Sequence, residues 1–226
     1  EEEWHKINRN SKIHFNEFEI PYPIEYSIKN IFDEILSINI NDNVNFEIVN
    51  IKDIRLDSTY GGFRINVKGT FDKIRTNFFI EITAGDIITP REINYNYNSI
   101  FENKKINIMA YTIETIIAEK FESIISKNIT TTRAKDFYDL YMLMNKHKNN
   151  INNKNLVKAI ENTFNKRNTE FNIDNFKEIV EIIEENNTLK RVFTDYQDKL
   201  EYTKQVNFDD TIKDIVNILE SEFVRV

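Results

Sequence analysis

The stretch Tyr111–Met144, YTIETIIAEKFESIISKNITTTRAKDFYDLYMLM, reads as two amphipathic helices joined by a threonine-rich turn. In the first helix Ile113, Ile116, Ile117, Phe121, Ile124 and Ile125 recur at the 3.6-residue period, and Lys120 falls inside that stripe. In the second, Phe137, Leu140, Tyr141 and Met144 make the stripe, with Arg133 and Asp136 on its upstream extension. Glu114, Glu119, Glu122 and Ser123 are expected on the solvated face, and Lys135 and Asp139 on the helix flank. An unpaired charge aimed into a helix junction is costly, so Lys120, Arg133 and Asp136 predict partners. Two readings stand at this point. Lys120 either forms a structural ion pair with Asp136 or snorkels to water, or the three charges serve a ligand.

Upstream of this stretch the pattern changes from helix to strand. Ile24–Ile38 is expected as a helix, with Ile24, Ile28, Ile31, Phe32 and Ile35 apolar. Val44–Ile51 and Phe63–Phe71 alternate at period two, with Phe63, Ile65 and Val67 on one face and Arg64, Asn66 and Lys68 on the other. Phe78–Ile82 is a more continuously apolar strand interrupted by Glu81; Gly85-Asp86 turns the chain, and residues 87–106 are expected to be mostly connection. Downstream, the asparagine-rich Lys146–Asn155 marks a predicted boundary between a first domain, 1–148, and a helical bundle, 149–226. The bundle's stripes are Leu156, Val157, Ile160 and Phe164; Phe176, Ile179, Val180 and Ile183; and Leu189, Val192, Phe193, Tyr196 and Leu200. Asp209 is a candidate N-cap for a last helix.

Composition narrows the chemistry. With 226 residues and 40% hydrophobic content the chain can bury a core of its own. It has no cysteine, which removes disulfides, thiolate zinc sites and cysteine nucleophiles and suits the cytoplasm. His5, His14 and His147 are too scattered for a histidine metal site. No apolar run approaches the roughly 18 residues of a membrane helix, so no membrane partner is expected. The opening, EEEWHKINRNSK, lacks the pattern of a signal peptide, and a first residue of Glu1 rather than Met is expected of a fragment or of a trimmed chain. Four glycines, Gly61, Gly62, Gly69 and Gly85, cannot build a Walker loop or a dinucleotide fingerprint. A net charge of −7 argues against nonspecific coating of nucleic acid but allows a local basic pocket.

YGGFRINV (Tyr60–Val67), FFIEITAGDIITPRE (Phe78–Glu92) and INIMAYTIETIIAEK (Ile106–Lys120), followed by R-x-KD-x-YDLY from Arg133, resemble the AbiEii/AbiGii toxin family of nucleotidyltransferases. The resemblance covers roughly Asp42 to Asn145. It implies an α+β chain: a nucleotidyltransferase-like domain with a small mixed sheet, followed by a C-terminal helical bundle. The activity implied is transfer of a nucleoside monophosphate from an NTP to an acceptor, with RNA or tRNA as acceptor class and a cognate antitoxin as partner. By the same resemblance Lys120 contacts the nucleotide's phosphates, Asp136 orients Lys120 or a nucleotide hydroxyl, and Arg133 adds a phosphate contact.

Such transfer uses Mg²⁺ held by carboxylates on rigid strands. Ile80-Glu81-Ile82 fits the family's third acid, which makes Glu81 a candidate catalytic metal ligand. The family's first acid pair is not evident. After Arg9-Asn10-Ser11 the ungapped register puts Ile13 and Phe15 where two acids belong; a shifted register offers Glu17 and Glu19. The pair is therefore missing from a truncated N-terminus, displaced, or lost. If lost, the chain is a nucleotidyltransferase-fold module that binds or regulates without turnover.

Overall fold

A computed structural model describes residues 13–15, 18–20, 24–54, 61–83, 85–100, 103–127, 133–208, 213, 216 and 217, with 13–15, 18–20 and 24–27 described by backbone alone. The chain forms two compact units, Glu1–Asp86 and Ile87–Val226.

The first unit holds β1 (Ile13–Phe15), β2 (Phe18–Ile20), α1 (Ile24–Leu36), β3 (Val44–Ile54), β4 (Gly62–Phe71) and β5 (Ile74–Thr83). β1 pairs with β2, and β3, β4 and β5 form an antiparallel sheet in sequence order. The alternation in β4 decides its faces. Phe63, Ile65 and Val67 are buried with Ile28 of α1, and Phe32, Leu36, Ile48, Ile51, Ile80 and Ile82 pack around them. Ile48 and Ile51, three apart, both reach this core because the register slips between Ile48 and Asn50; a bulge adds one residue and restores the apolar face. Gly62 is required at its position, since a Cβ there would lie 2.6 Å from the Ile82 carbonyl oxygen. On the other face polar pairs line up across strands: Asn66 donates to Asn50 at 2.7 Å and Lys68 to Glu47 at 2.7 Å. That ion pair holds the Glu47 carboxyl below its usual range.

The second unit begins with a hairpin, β6 (Ile93–Asn98) and β7 (Lys105–Ala110), where mostly connection was expected. The reason is alternation: Ile93, Tyr95 and Tyr97 oppose Ala110, Ile108 and Ile106 on one face, leaving Asn94, Asn96 and Asn107 on the other. Helices follow it: α2 (Ile113–Lys127), α3 (Ala134–Lys146), α4 (Asn153–Lys166), α5 (Ile173–Glu185) and α6 (Asn187–Lys199). The α+β class and the order, sheets before helices, are as expected, and among the described residues every ladder is antiparallel. Residues from α2 through α6 share one apolar core, so position 148 falls inside a compact unit. Within Lys146–Asn155, residues 147–152 form the connection between α3 and α4, and it is tied back to α2: Glu114 accepts the Asn152 backbone N–H at 2.9 Å. Asparagine also has a structural task here. Asn152, Asn172 and Asn186 cap α4, α5 and α6 by accepting backbone N–H groups of their first turns. Asp209 lies outside the described residues.

The polar side of α2 differs from expectation. Glu114, Glu122 and Ser123 are buried rather than solvated. The physical reason is that α2 packs against α3, α4 and α5 together, so more than one of its faces is covered. Glu122 accepts from Arg167 at 2.7 Å and from the Thr169 hydroxyl at 2.6 Å, which satisfies its carboxylate away from water. Glu122→Ala would take from Arg167, 27% exposed, its 2.7 Å carboxylate partner, while the Glu119 carbonyl at 3.5 Å and carboxylate at 3.7 Å stay in reach. The expected loss is about 2 kcal/mol, below that of a fully buried pair because Arg167 still reaches solvent, and it should appear as a lower melting temperature.

Candidate functional site

The start of α2 is fixed by buried hydroxyls. Thr112 accepts the Thr115 N–H at 3.2 Å, as an N-cap does, and donates to the Thr89 carbonyl at 2.6 Å. Thr115 accepts the Thr89 N–H at 2.9 Å, and the Thr89 hydroxyl accepts from Asn162 of α4 at 2.9 Å. Thr89 of the GDIITP stretch thus ties the connection preceding β6 to α2 and α4. Lys120 projects from α2 roughly two turns beyond this anchor.

Lys120 lies in a cleft of about 540 Å³ lined by α2, α3 and α6. Its ammonium donates to Asp139 at 2.7 Å and to Asp136 at 3.3 Å. Arg133 approaches the other Asp136 oxygen at 3.5 Å. Lys120, Asp136 and Asp139 are 23%, 10% and 22% exposed at their side chains, while Arg133 is 59% exposed. Asp136 and Asp139 are three apart and so share a face of α3. That spacing was the available signal for Asp139, which the sequence reading put on the flank. An ammonium has three N–H donors; two go to the aspartates, leaving one for a ligand oxygen.

The third wall comes from α6. Val192, Asp195, Tyr196 and Lys199 recur at helical spacing and line the cleft, as does Lys135 of α3. Nothing in the motif stretch points to α6; the signal available was its own periodicity. Tyr196 is half-buried beside Tyr202, Asp139 and Tyr138. Burial first, then these neighbours, pushes its hydroxyl up to about 12, so it stays neutral at physiological pH. Burial likewise raises Tyr138, with Tyr202 and Asp139 adding to the effect.

A family model described as the nucleotidyl transferase AbiEii toxin of type IV toxin–antitoxin systems matches residues 23–214. The chain belongs to the AbiEii family. Comparison with curated proteins and with solved structures found no match for this AbiEii chain. Membership makes toxin-type nucleotidyl transfer the family activity, and it fits the sequence resemblance carried by the cleft's own residues, Lys120, Arg133 and Asp136. No described helix of this AbiEii protein is long and apolar enough to cross a membrane.

The family's activity generally calls for a divalent metal. Among the described residues no group of three or more histidine, aspartate or glutamate side chains is placed to hold one. Glu81 sits on β5 opposite Arg64 of β4, whose guanidinium donates to it through Nε at 2.8 Å and again through Nη2. The same guanidinium lies 4.7 Å from the Phe79 ring centroid, a cation–π contact. A carboxylate already engaged by a stacked guanidinium has a neighbour to exchange before it could serve a metal. Glu81 belongs to the first compact unit and Lys120, Arg133 and Asp136 to the second. Glu17 lies outside the described residues, and Glu19 falls in β2, described by backbone alone.

Proposed function

We propose that this chain is a toxin-type nucleotidyltransferase that moves a nucleoside monophosphate from an NTP to an acceptor hydroxyl, with a tRNA end as the acceptor class. The observation that carries the reading is Lys120, held by Asp136 and Asp139 within a cleft of about 540 Å³ and inside the span matched by the AbiEii family. In the reaction a bond forms between the acceptor oxygen and the α-phosphorus while the α–β phosphoanhydride bond breaks. Pyrophosphate leaves and the hydroxyl's proton passes to water. Lys120 meets the phosphate charge as an ammonium, and its hydrogen bonds to Asp136 and Asp139 hold it aimed. The family's divalent ion is taken to be Mg²⁺, the protein is taken to act in the cytoplasm, and a cognate antitoxin is its proposed partner.

A second reading has its own support. The engagement of Glu81 by Arg64 favours a module that binds nucleotide in the same cleft without turning it over. One experiment separates the two. The chain is incubated with each labelled NTP, Mg²⁺ and total RNA. Label entering a tRNA-sized band supports the transferase. Nucleotide binding with no labelled product from any of the four NTPs supports the module and overturns transfer.

A further inference from the structure

We infer that Lys199 of α6 holds the terminal phosphates of the nucleotide and sets a preference for triphosphate over monophosphate. This rests on the reading of the cleft as the nucleotide site. The cleft is lined by four cations, Lys120, Arg133, Lys135 and Lys199, and three acids, Asp136, Asp139 and Asp195, in a chain whose net charge is −7. The cation at its centre is already neutralised: Lys120 is shared by Asp136 and Asp139, and Arg133 approaches Asp136 as well. A triphosphate, with about four negative charges at neutral pH, needs more positive charge than Lys120 retains, and a phosphate with no countercharge is costly to bring beside aspartates. Lys199 is the cation that α6 contributes. It is exposed, it has no ion pair among the described residues, and it sits one turn beyond Tyr196 on the face that lines the cleft. Its long, flexible stem suits a mobile terminal phosphate, which lysine meets as a point charge. The chemistry assigned is therefore divided: Lys120 at the phosphate near the reacting bond, Lys199 at the outer ones.

Isothermal titration of the full chain with each NTP and its matching monophosphate tests this directly. Wild-type protein should bind its best NTP at least about tenfold tighter than the monophosphate. Lys199→Gln should weaken the NTP about tenfold, leave the monophosphate within about twofold, and so remove the preference. Lys199→Arg, which keeps the charge, should restore most of it. Lys199 is exposed, so circular dichroism melts of both variants should match wild type. An NTP-to-monophosphate ratio unchanged in Lys199→Gln, with binding lost in Lys120→Met, would overturn the role of Lys199 while leaving the site in place. A wild-type chain that binds none of the NTPs would instead overturn the site itself.

Discussion

Lys120→Met should lower nucleotide transfer by about 10²–10³-fold, the loss seen when one preorganised group facing developing charge is removed. Methionine fills a similar volume, so the packing of α2 is kept while the ammonium is lost. Its cost in stability separates a site from a structural pair. Removing one partner of a fully buried ion pair costs about 3–5 kcal/mol because the other charge is stranded. Here Asp136 keeps Arg133 at 3.5 Å and Asp139 is 22% exposed, so neither carboxylate is abandoned. The expected destabilisation is about 1–2 kcal/mol, smaller than the structural case by a margin that thermal melting resolves. A fall in stability of the full structural size with transfer and nucleotide affinity unchanged would make Lys120 a strut.

Phe121→Ala should be the most destabilising single change in the second unit, at about 3–5 kcal/mol. Phe121 follows Lys120 in sequence, about 100° further round the helix, and its side chain lies in the core. It is fully buried, with ring centroids 5.8 Å from Phe164 and 5.5 Å from Phe176 in an edge-to-face arrangement. Phe164 and Phe176 stand 5.1 Å apart, and Phe171 closes the cluster, so the cavity left by alanine is walled by rings that cannot easily collapse into it. Since total stability for a domain is about 5–15 kcal/mol, the variant is expected to be marginal. Urea denaturation checks this: the midpoint should move while the slope stays fixed. A midpoint within error of wild type would show that α2 is not held by this cluster.

These two neighbours also show what was legible in the sequence. A stripe at helical spacing gave Phe121 its buried place and drew Lys120 and Asp136 toward one junction, because a single apolar face is a local pattern. Glu122 was misplaced for the opposite reason. Its burial depends on Arg167 and Thr169, which are brought to it by the packing of α4 and the turn that follows, and no local pattern carries that information. The strands β3 and β4 were legible from alternation, but the bulge that lets Ile48 and Ile51 share a face was not. Glu81 was noticed as an acid in an apolar strand, while its partner Arg64 follows only once β4 and β5 are set in register. Lys199 and Tyr196 look like ordinary residues of an amphipathic helix until α6 is docked against α3.

The central claim is that the cleft lined by α2, α3 and α6 receives the nucleotide's phosphates at Lys120. The most direct test is the rate of lysine acylation at each position, read by peptide mass spectrometry with and without saturating NTP. Lys120 should be protected several-fold by NTP, whereas Lys154 and Lys158 of α4, exposed and not among the residues lining the cleft, should label at unchanged rates. Equal labelling of Lys120 with and without NTP, under conditions where the chain demonstrably binds nucleotide, would place the nucleotide elsewhere and contradict the account.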